Sequence, residues 1–120
     1  MKARRVFHVL PWADYEALRA GGDGAQHRPA SLQAEGFVHC SFVEQLADTL
    51  RLHFRGAGRL ALLELDPPQL LDALRVEPSR GGSLFPHLYR ALAASDVRAA
   101  WPLAPEEGFA LPRALFTPGP

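Results

Sequence analysis

The sequence predicts a single α+β domain. Its 120 residues match the usual size of one domain with one hydrophobic core. Hydrophobic residues make up 48% and charged residues 22% of the chain, as in an ordinary globular protein. Short apolar strands and short helical stretches follow one another without a regular βαβ rhythm. We expect residues 1–112 to form the domain and the Pro-rich residues 113–120 to form a frayed tail.

The first third of the chain predicts a strand, a helix and a loop. β-Branched and aromatic residues indicate a strand over residues 4–10, which Pro11 ends. A helix follows as far as Gly21, because apolar side chains recur at three-residue steps on one face, at Trp12, Tyr15 and Leu18. Residues 21–29 are rich in glycine, so we expect a mobile surface loop, for which a lid over a pocket is one role.

Residues 37–41, FVHCS, predict a short strand. Strand alternation places His39 and Ser41 on one face with Phe37, and Cys40 on the other face. We therefore expect Cys40 to point into the core as an inert thiol. A reactive thiolate beside His39 is the alternative.

Ser41 also carries a helix-capping pattern. Glu44 follows three residues later, and an apolar stripe comes next, which together are typical of a capping box that opens an amphipathic helix near Phe42. The stripe comprises Val43, Leu46, Ala47, Leu50 and Phe54.

The second half of the chain predicts further short elements. The apolar run 59–66 suits a central strand, which the following two prolines end. A helix over 68–73, a strand over 74–77, a loop over 79–83 and an extended segment over 85–89 come next. Residues 97–103 predict an edge strand, because Pro102 cannot donate a ladder hydrogen bond.

Charge and cysteine content exclude several classes of protein. Thirteen basic residues balance thirteen acidic ones, so the sequence shows no general signal for nucleic acid or for a membrane surface. The apolar run near the start is too short for a membrane span or a signal peptide. Cys40 is the only cysteine, which excludes a disulfide framework and favours the reducing cytoplasm. The oligomeric state stays open.

Three histidines on predicted strands mark a candidate ligand pocket. They are His8 in VFHVLP, His39 in FVHCS and His87 in FPHLY, and Ser41 and Tyr89 accompany them. A histidine that is hydrogen-bonded within the core is the structural alternative for each of them. A three-histidine zinc site is a second chemical alternative, but the chain lacks HxH, HxxxH, HExxH and CxxC spacings.

Two arginines beside the glycine-rich loops are candidates for holding a phosphate. Arg28 and Arg80 lie there, although neither loop matches a P-loop or a dinucleotide-binding fingerprint. Solvated arginines are the alternative. We assign no function to His27 or His53.

Four motifs follow one another along the chain in this order: FHVLPWADY, RPASLQAEGFVHCS, LLELDP and FPHLY. On these motifs the chain resembles the bacterial family called domain of unknown function 952 over nearly its whole length. The resemblance implies a split, mixed β-sheet flanked by short helices, similar to the ADP-ribosyltransferase fold. The order of a strand histidine, a helix and VHCS resembles that of RNA 2′-phosphotransferases in that superfamily. There the matching residues hold the ribose and nicotinamide ends of NAD. The resemblance therefore assigns candidate catalytic roles to His8, His39 and Ser41.

The resulting hypothesis is a domain that binds NAD or an ADP-ribose-like nucleotide in a histidine-lined cleft. Its lining comprises His8, His39, Ser41, His87 and Tyr89, with Arg28 or Arg80 closing over a phosphate. As an enzyme, the protein would be a transferase acting on NAD or an ADP-ribose-like substrate. The alternatives are a non-catalytic interaction module that keeps the fold without the chemistry, and a metal enzyme with histidine ligands.

Overall fold

Three antiparallel β-sheets organise the computed structural model, which describes residues 4–116. Within these residues the strands are β1 (Val6–Pro11), β2 (Gln26–His27), β3 (Val38–His39), β4 (Ser41–Phe42), β5 (Leu60–Leu65), β6 (Leu74–Pro78), β7 (Leu84–Leu88), β8 (Leu92–Ala93) and β9 (Val97–Leu103). The central sheet has the order β4-β1-β5-β9, a second sheet has the order β3-β7-β6, and β2 pairs with β8.

Four short α-helices connect these strands in the described part of the chain. They are α1 (Trp12–Ala20), α2 (Ala30–Glu35), α3 (Leu46–His53) and α4 (Pro67–Leu70). Single 3₁₀ turns complete the fold at Val43–Gln45, Arg80–Gly82, Ala94–Asp96, Pro105–Glu107 and Arg113–Phe116. None of the helices in residues 4–116 is long and apolar enough to cross a bilayer.

The structure confirms a single α+β domain with short helices and with its strands divided among separate sheets. The expectation of a mixed sheet is wrong, because every strand pair within residues 4–116 is antiparallel. The glycine-rich segment 21–29 also differs from a plain loop. Within it, Gln26 and His27 form β2, which pairs with β8.

The central sheet is buried on both faces. On one face of β1, Val6 and Leu10 pack against Leu63 of β5, against α1 and against the second sheet. The other face, through Phe7 and Val9, packs against α3. All six residues of β5 are buried, as expected for a central strand, and β9 lies at the sheet edge, as predicted. Period-two alternation therefore directs the side chain of His8 toward the second sheet.

The predicted capping role of Ser41 is wrong. Ser41 pairs with Phe7 of β1, which holds it in an extended strand two residues before the turn begins at Val43. Its hydroxyl contacts the Thr49 hydroxyl at 2.8 Å. The turn is capped from within instead, since the side-chain carbonyl of Gln45 accepts the backbone N–H of Phe42 at 2.9 Å.

The packed part of the chain extends beyond the boundary expected at residue 112. Leu115 is only 5% exposed and packs in the core beneath α3. The guanidinium of Arg5 donates to the Leu115 carbonyl at 3.0 Å and also forms a bidentate pair with Glu64. Of the predicted frayed tail, residues 117–120 lie outside the described residues.

Asp96 is a buried carboxylate that ties three segments together. It forms a bidentate pair with Arg90 at 2.7 and 2.9 Å and accepts the backbone N–H of Ala93 at 2.8 Å. Its backbone carbonyl accepts the N–H of Asp66, at the start of α4. The carboxylate thus links the segment between β7 and β8 to the start of β9.

Replacing Asp96 with Ala should lower the free energy of unfolding by about 2–4 kcal/mol, because the Ala93 N–H loses its acceptor and the Arg90 guanidinium loses its carboxylate partner. Urea denaturation measures the effect. The matched control is Asp48→Ala, which removes an exposed pair with Arg51 and should cost less than about 1 kcal/mol. Equal losses in both variants would contradict the role assigned to Asp96.

Candidate functional site

A cavity of about 450 Å³ opens where β1 meets the segment 39–41 and the loop that follows β2. This volume lies in the range of small-molecule sites in proteins. The wall is mostly apolar, with Leu10, Pro11, Phe54 and Phe85 among its members. Its polar members are His8, Asp14, His27, Ser31, His39, Ser41, Thr49, His53 and Ser79.

His8 is buried in this wall, and its protonation state follows from its contacts. Its Nδ1 lies 2.7 Å from the backbone carbonyl oxygen of His39. A carbonyl oxygen only accepts hydrogen bonds, so Nδ1 carries the proton and donates. Burial lowers the pKa of His8 to about 4, which leaves the ring neutral near pH 7. Nε2 is then a bare acceptor, and it has no partner among the described residues.

His27 is a site residue that sequence reasoning missed. Its ring centroid lies 5.9 Å from that of His8, and both rings line the cavity. Burial lowers the pKa of His27, and the Asp14 carboxylate partly opposes this shift. His53 also lines the cavity. The pairing of β2 with β8 places His27 here, and a two-residue strand inside a glycine-rich segment leaves no periodic signal in the sequence.

His39 and Ser41, both predicted site residues, line the same cavity as His8. The His39 side chain is 47% exposed, and its Nε2 lies 2.8 Å from the Glu35 carboxylate. Ser41 is buried and hydrogen-bonded to Thr49, which is another lining residue. The structure therefore brings together the three candidate catalytic residues named from the sequence.

The other two strand residues predicted to line the cleft lie outside the cavity wall. His87 is buried, and its Nδ1 lies 2.9 Å from a carboxylate oxygen of Glu77. The Tyr89 hydroxyl donates to the same oxygen. Phe85, two residues earlier on β7, does line the cavity. The cavity thus ends before the strand reaches His87.

Arg28, one of the two candidate phosphate ligands, is not among the lining residues of the cavity. It is exposed and follows the lining residue His27 in the sequence, and its guanidinium donates to the side chain of Gln26 at 3.0 Å. The side chain of Arg80 lies outside the described part of the chain. No Lys or Arg occurs among the described lining residues.

The metal and thiol alternatives gain no geometric support. Within residues 4–116, no group of three or more His, Cys, Asp or Glu side chains is placed to hold a metal ion. Cys40 is buried, as the strand alternation predicts, and burial raises the pKa of its thiol to about 12. A thiol with this pKa is almost fully protonated at neutral pH and is a poor nucleophile.

Residues 10–100 match the family model described as protein of unknown function (DUF952). The chain belongs to the DUF952 family. It is similar to protein CC0527 from Caulobacter crescentus, whose crystal structure shares 37% identity over 82% of this chain and 85% of that chain, with a TM-score of 0.73. The solution NMR structure of CC0527 gives 37% identity, coverage of 83% and 84%, and a TM-score of 0.70. No curated protein matches the chain.

In this DUF952 domain the site combines a neutral buried acceptor with a wall of apolar and polar side chains. The acceptor is His8 Nε2, the apolar side chains include Phe54 and Phe85, and the polar ones include Asp14 and His27. Such a site suits a ligand with a ring and with hydroxyl or N–H donors.

The lowered pKa of His8 makes stability depend on pH. Between about pH 6.5 and pH 4 the unfolded chain binds a proton at His8 that the folded chain does not, so stability falls as the pH falls through this window. The full loss from this group is roughly 3 kcal/mol. Denaturation curves of the parent and of His8→Asn should therefore converge as the pH is lowered from 6.5 to 4. A constant difference across the window would contradict the buried neutral state.

The raised pKa of Cys40 predicts that its thiol resists modification in the folded protein. A bulky polyethylene glycol maleimide at pH 8 should leave the native chain unlabelled and should label it fully in urea. A mass shift on a denaturing gel measures both states. Rapid labelling of the native protein would show that Cys40 is reachable from the cavity.

Proposed function

We propose that this DUF952 domain binds a nucleotide-like ligand of the NAD or ADP-ribose type and holds one nucleoside half in the cavity. The observation that carries the proposal is the buried Nε2 acceptor of His8, which lacks a partner among the described residues while its ring lines a cavity of ligand size. An unpaired buried acceptor costs about 1–3 kcal/mol. A ligand that donates a hydrogen bond to this atom would recover part of that free energy.

The chemistry of the wall supports a nucleoside in preference to a simple anion. Ribose hydroxyls and amide or amino N–H groups are donors, which a neutral imidazole acceptor requires. A planar base or pyridine ring suits the aromatic side chains of Phe54 and Phe85. Inorganic phosphate lacks both features, because it is mainly an acceptor and has no apolar surface.

The distribution of charge bears on where a phosphate would lie. None of the described lining residues is a Lys or an Arg, so none of them gives an ionised phosphate inside the cavity a permanently charged partner. Arg28 follows the lining residue His27 in the sequence, and its exposed guanidinium donates to the neutral side chain of Gln26. The proposal therefore places the ring and the sugar inside the cavity and the phosphates outside it, with Arg28 as their candidate partner.

The proposal includes a similarity to the ADP-ribosyltransferase fold. Its support is the order of the His8 strand, the helix and the VHCS segment along the chain. The site favours binding more directly than catalysis. With a pKa of about 4, His8 accepts hydrogen bonds at neutral pH but is a weak general base. NAD therefore enters the proposal as a ligand, and a transferase reaction remains a hypothesis from the motif resemblance.

Isothermal titration calorimetry with NAD, ADP-ribose and AMP tests the proposal on the parent chain and on His8→Asn. The asparagine amide retains a donor for the His39 carbonyl but removes the Nε2 acceptor. Because one neutral hydrogen bond is worth about 0.5–1.5 kcal/mol, affinity should fall roughly 2- to 13-fold.

The control is Leu103→Val, a truncation of a buried residue of β9 that does not line the cavity. It should lower stability by about 1 kcal/mol and leave affinity unchanged. The absence of measurable heat with every ligand at millimolar concentration would overturn the proposal. Unchanged affinity in His8→Asn would remove His8 from the binding site.

A further inference from the structure

One face of the second sheet carries a cluster of rings that extends beyond the cavity wall. His39 on β3 pairs with His87 on β7, and Phe37 and Tyr89 follow at the same end of these strands. The Phe37 ring stacks on His87 with centroids 4.0 Å apart and an interplanar angle of 16°. Phe37 also lies 4.9 Å from His39 and 5.2 Å from Tyr89. We call these four residues the aromatic face.

A single carboxylate holds two rings of the aromatic face in place. One oxygen of Glu77, on the neighbouring strand β6, accepts hydrogen bonds from both His87 Nδ1 and the Tyr89 hydroxyl. The guanidinium of Arg75 lies 5.2 Å from the Tyr89 ring centroid. His87 is buried beneath Phe37, whereas Tyr89 is 39% exposed. Glu77 thus holds two rings in fixed positions while Tyr89 stays accessible to solvent, which lowers the ordering cost of binding a ligand there.

The aromatic face is continuous with the cavity. His39 belongs to both, since it lines the cavity and its ring contacts Phe37 and His87. Phe85 lines the cavity and lies on the same face of β7 as His87, two residues away. Steps of 4.9 and 5.2 Å then lead from the His39 ring through Phe37 to Tyr89. A ligand that leaves the cavity past His39 therefore meets this surface.

We propose that the aromatic face binds the second ring of a dinucleotide whose first nucleoside occupies the cavity. This inference rests on the proposed function. The occupant is a flat ring, because the half-buried Phe37 and the partly exposed Tyr89 offer aromatic surface for stacking and Arg75 adds positive charge at the Tyr89 end. A nucleic acid strand is disfavoured by the zero net charge. In this arrangement the pyrophosphate of the dinucleotide passes His39.

The variant Phe37→Leu tests this inference, because it keeps an apolar side chain of similar size and removes the stacking surface. Calorimetry measures the affinities of NAD, AMP and nicotinamide mononucleotide for the parent and the variant. NAD affinity should fall roughly 5- to 150-fold, as expected for the loss of one stacked ring. The half-molecule that binds the cavity should keep its affinity.

Two further variants control for altered packing. Phe37→Tyr keeps the ring and should retain NAD affinity, and Val76→Ala changes an exposed residue of β6 on the opposite face of the same sheet and should have no effect. Unchanged NAD affinity in Phe37→Leu, or equal losses for NAD and for the half-molecule, would overturn the aromatic face while leaving the cavity proposal intact. If none of the three ligands binds the parent chain, the proposed function fails and this inference fails with it.

Discussion

The hydrogen bond from His8 Nδ1 to the His39 carbonyl is the contact on which the rest of the site depends. It joins β1 of the central sheet to β3 of the second sheet across 2.7 Å. Next along the chain, the Cys40 N–H still bonds to Pro86 of the second sheet, whereas Ser41 already pairs with β1. The chain therefore changes sheets within three residues, and the cavity lies beside this crossing. The same bond fixes the tautomer of His8 and leaves its Nε2 as an acceptor.

A histidine at this position is a poor choice for stability alone. Its neighbours on the same face of β1 are Val6 and Leu10, both in the core, and an apolar residue would avoid the unpaired Nε2. His87 shows the same pattern, with Nδ1 bonded and Nε2 without a partner among the described residues, but it lies outside the cavity. The two histidines therefore differ in their surroundings: His8 lines a ligand-sized space, whereas the His87 ring stacks against Phe37.

Local periodicity predicted the elements and the direction of side chains better than it predicted the site. Alternation along 37–41 predicted a buried Cys40 and a cleft-facing His39, and the structure has Cys40 buried and His39 in the cavity wall. The apolar run at 60–65 is the central strand. The pattern failed where non-local pairing decided the outcome. Pairing with β1 made Ser41 a strand residue instead of a helix cap, and pairing with β8 brought in His27. Residues that share one strand face also differ in whether they reach the cavity, since Phe85 lines it and Tyr89 does not.

His39 serves the two parts of the proposed site through different chemical groups. Its backbone carbonyl accepts the bond from His8, so the acceptor at the cavity depends on where the fold places β3 and not on which side chain residue 39 carries. Its ring, in contrast, contacts Phe37 and is held by Glu35, so the continuity with the aromatic face depends on side-chain identity. A substitution at residue 39 therefore leaves the backbone carbonyl that holds His8, but it removes a ring from the aromatic face.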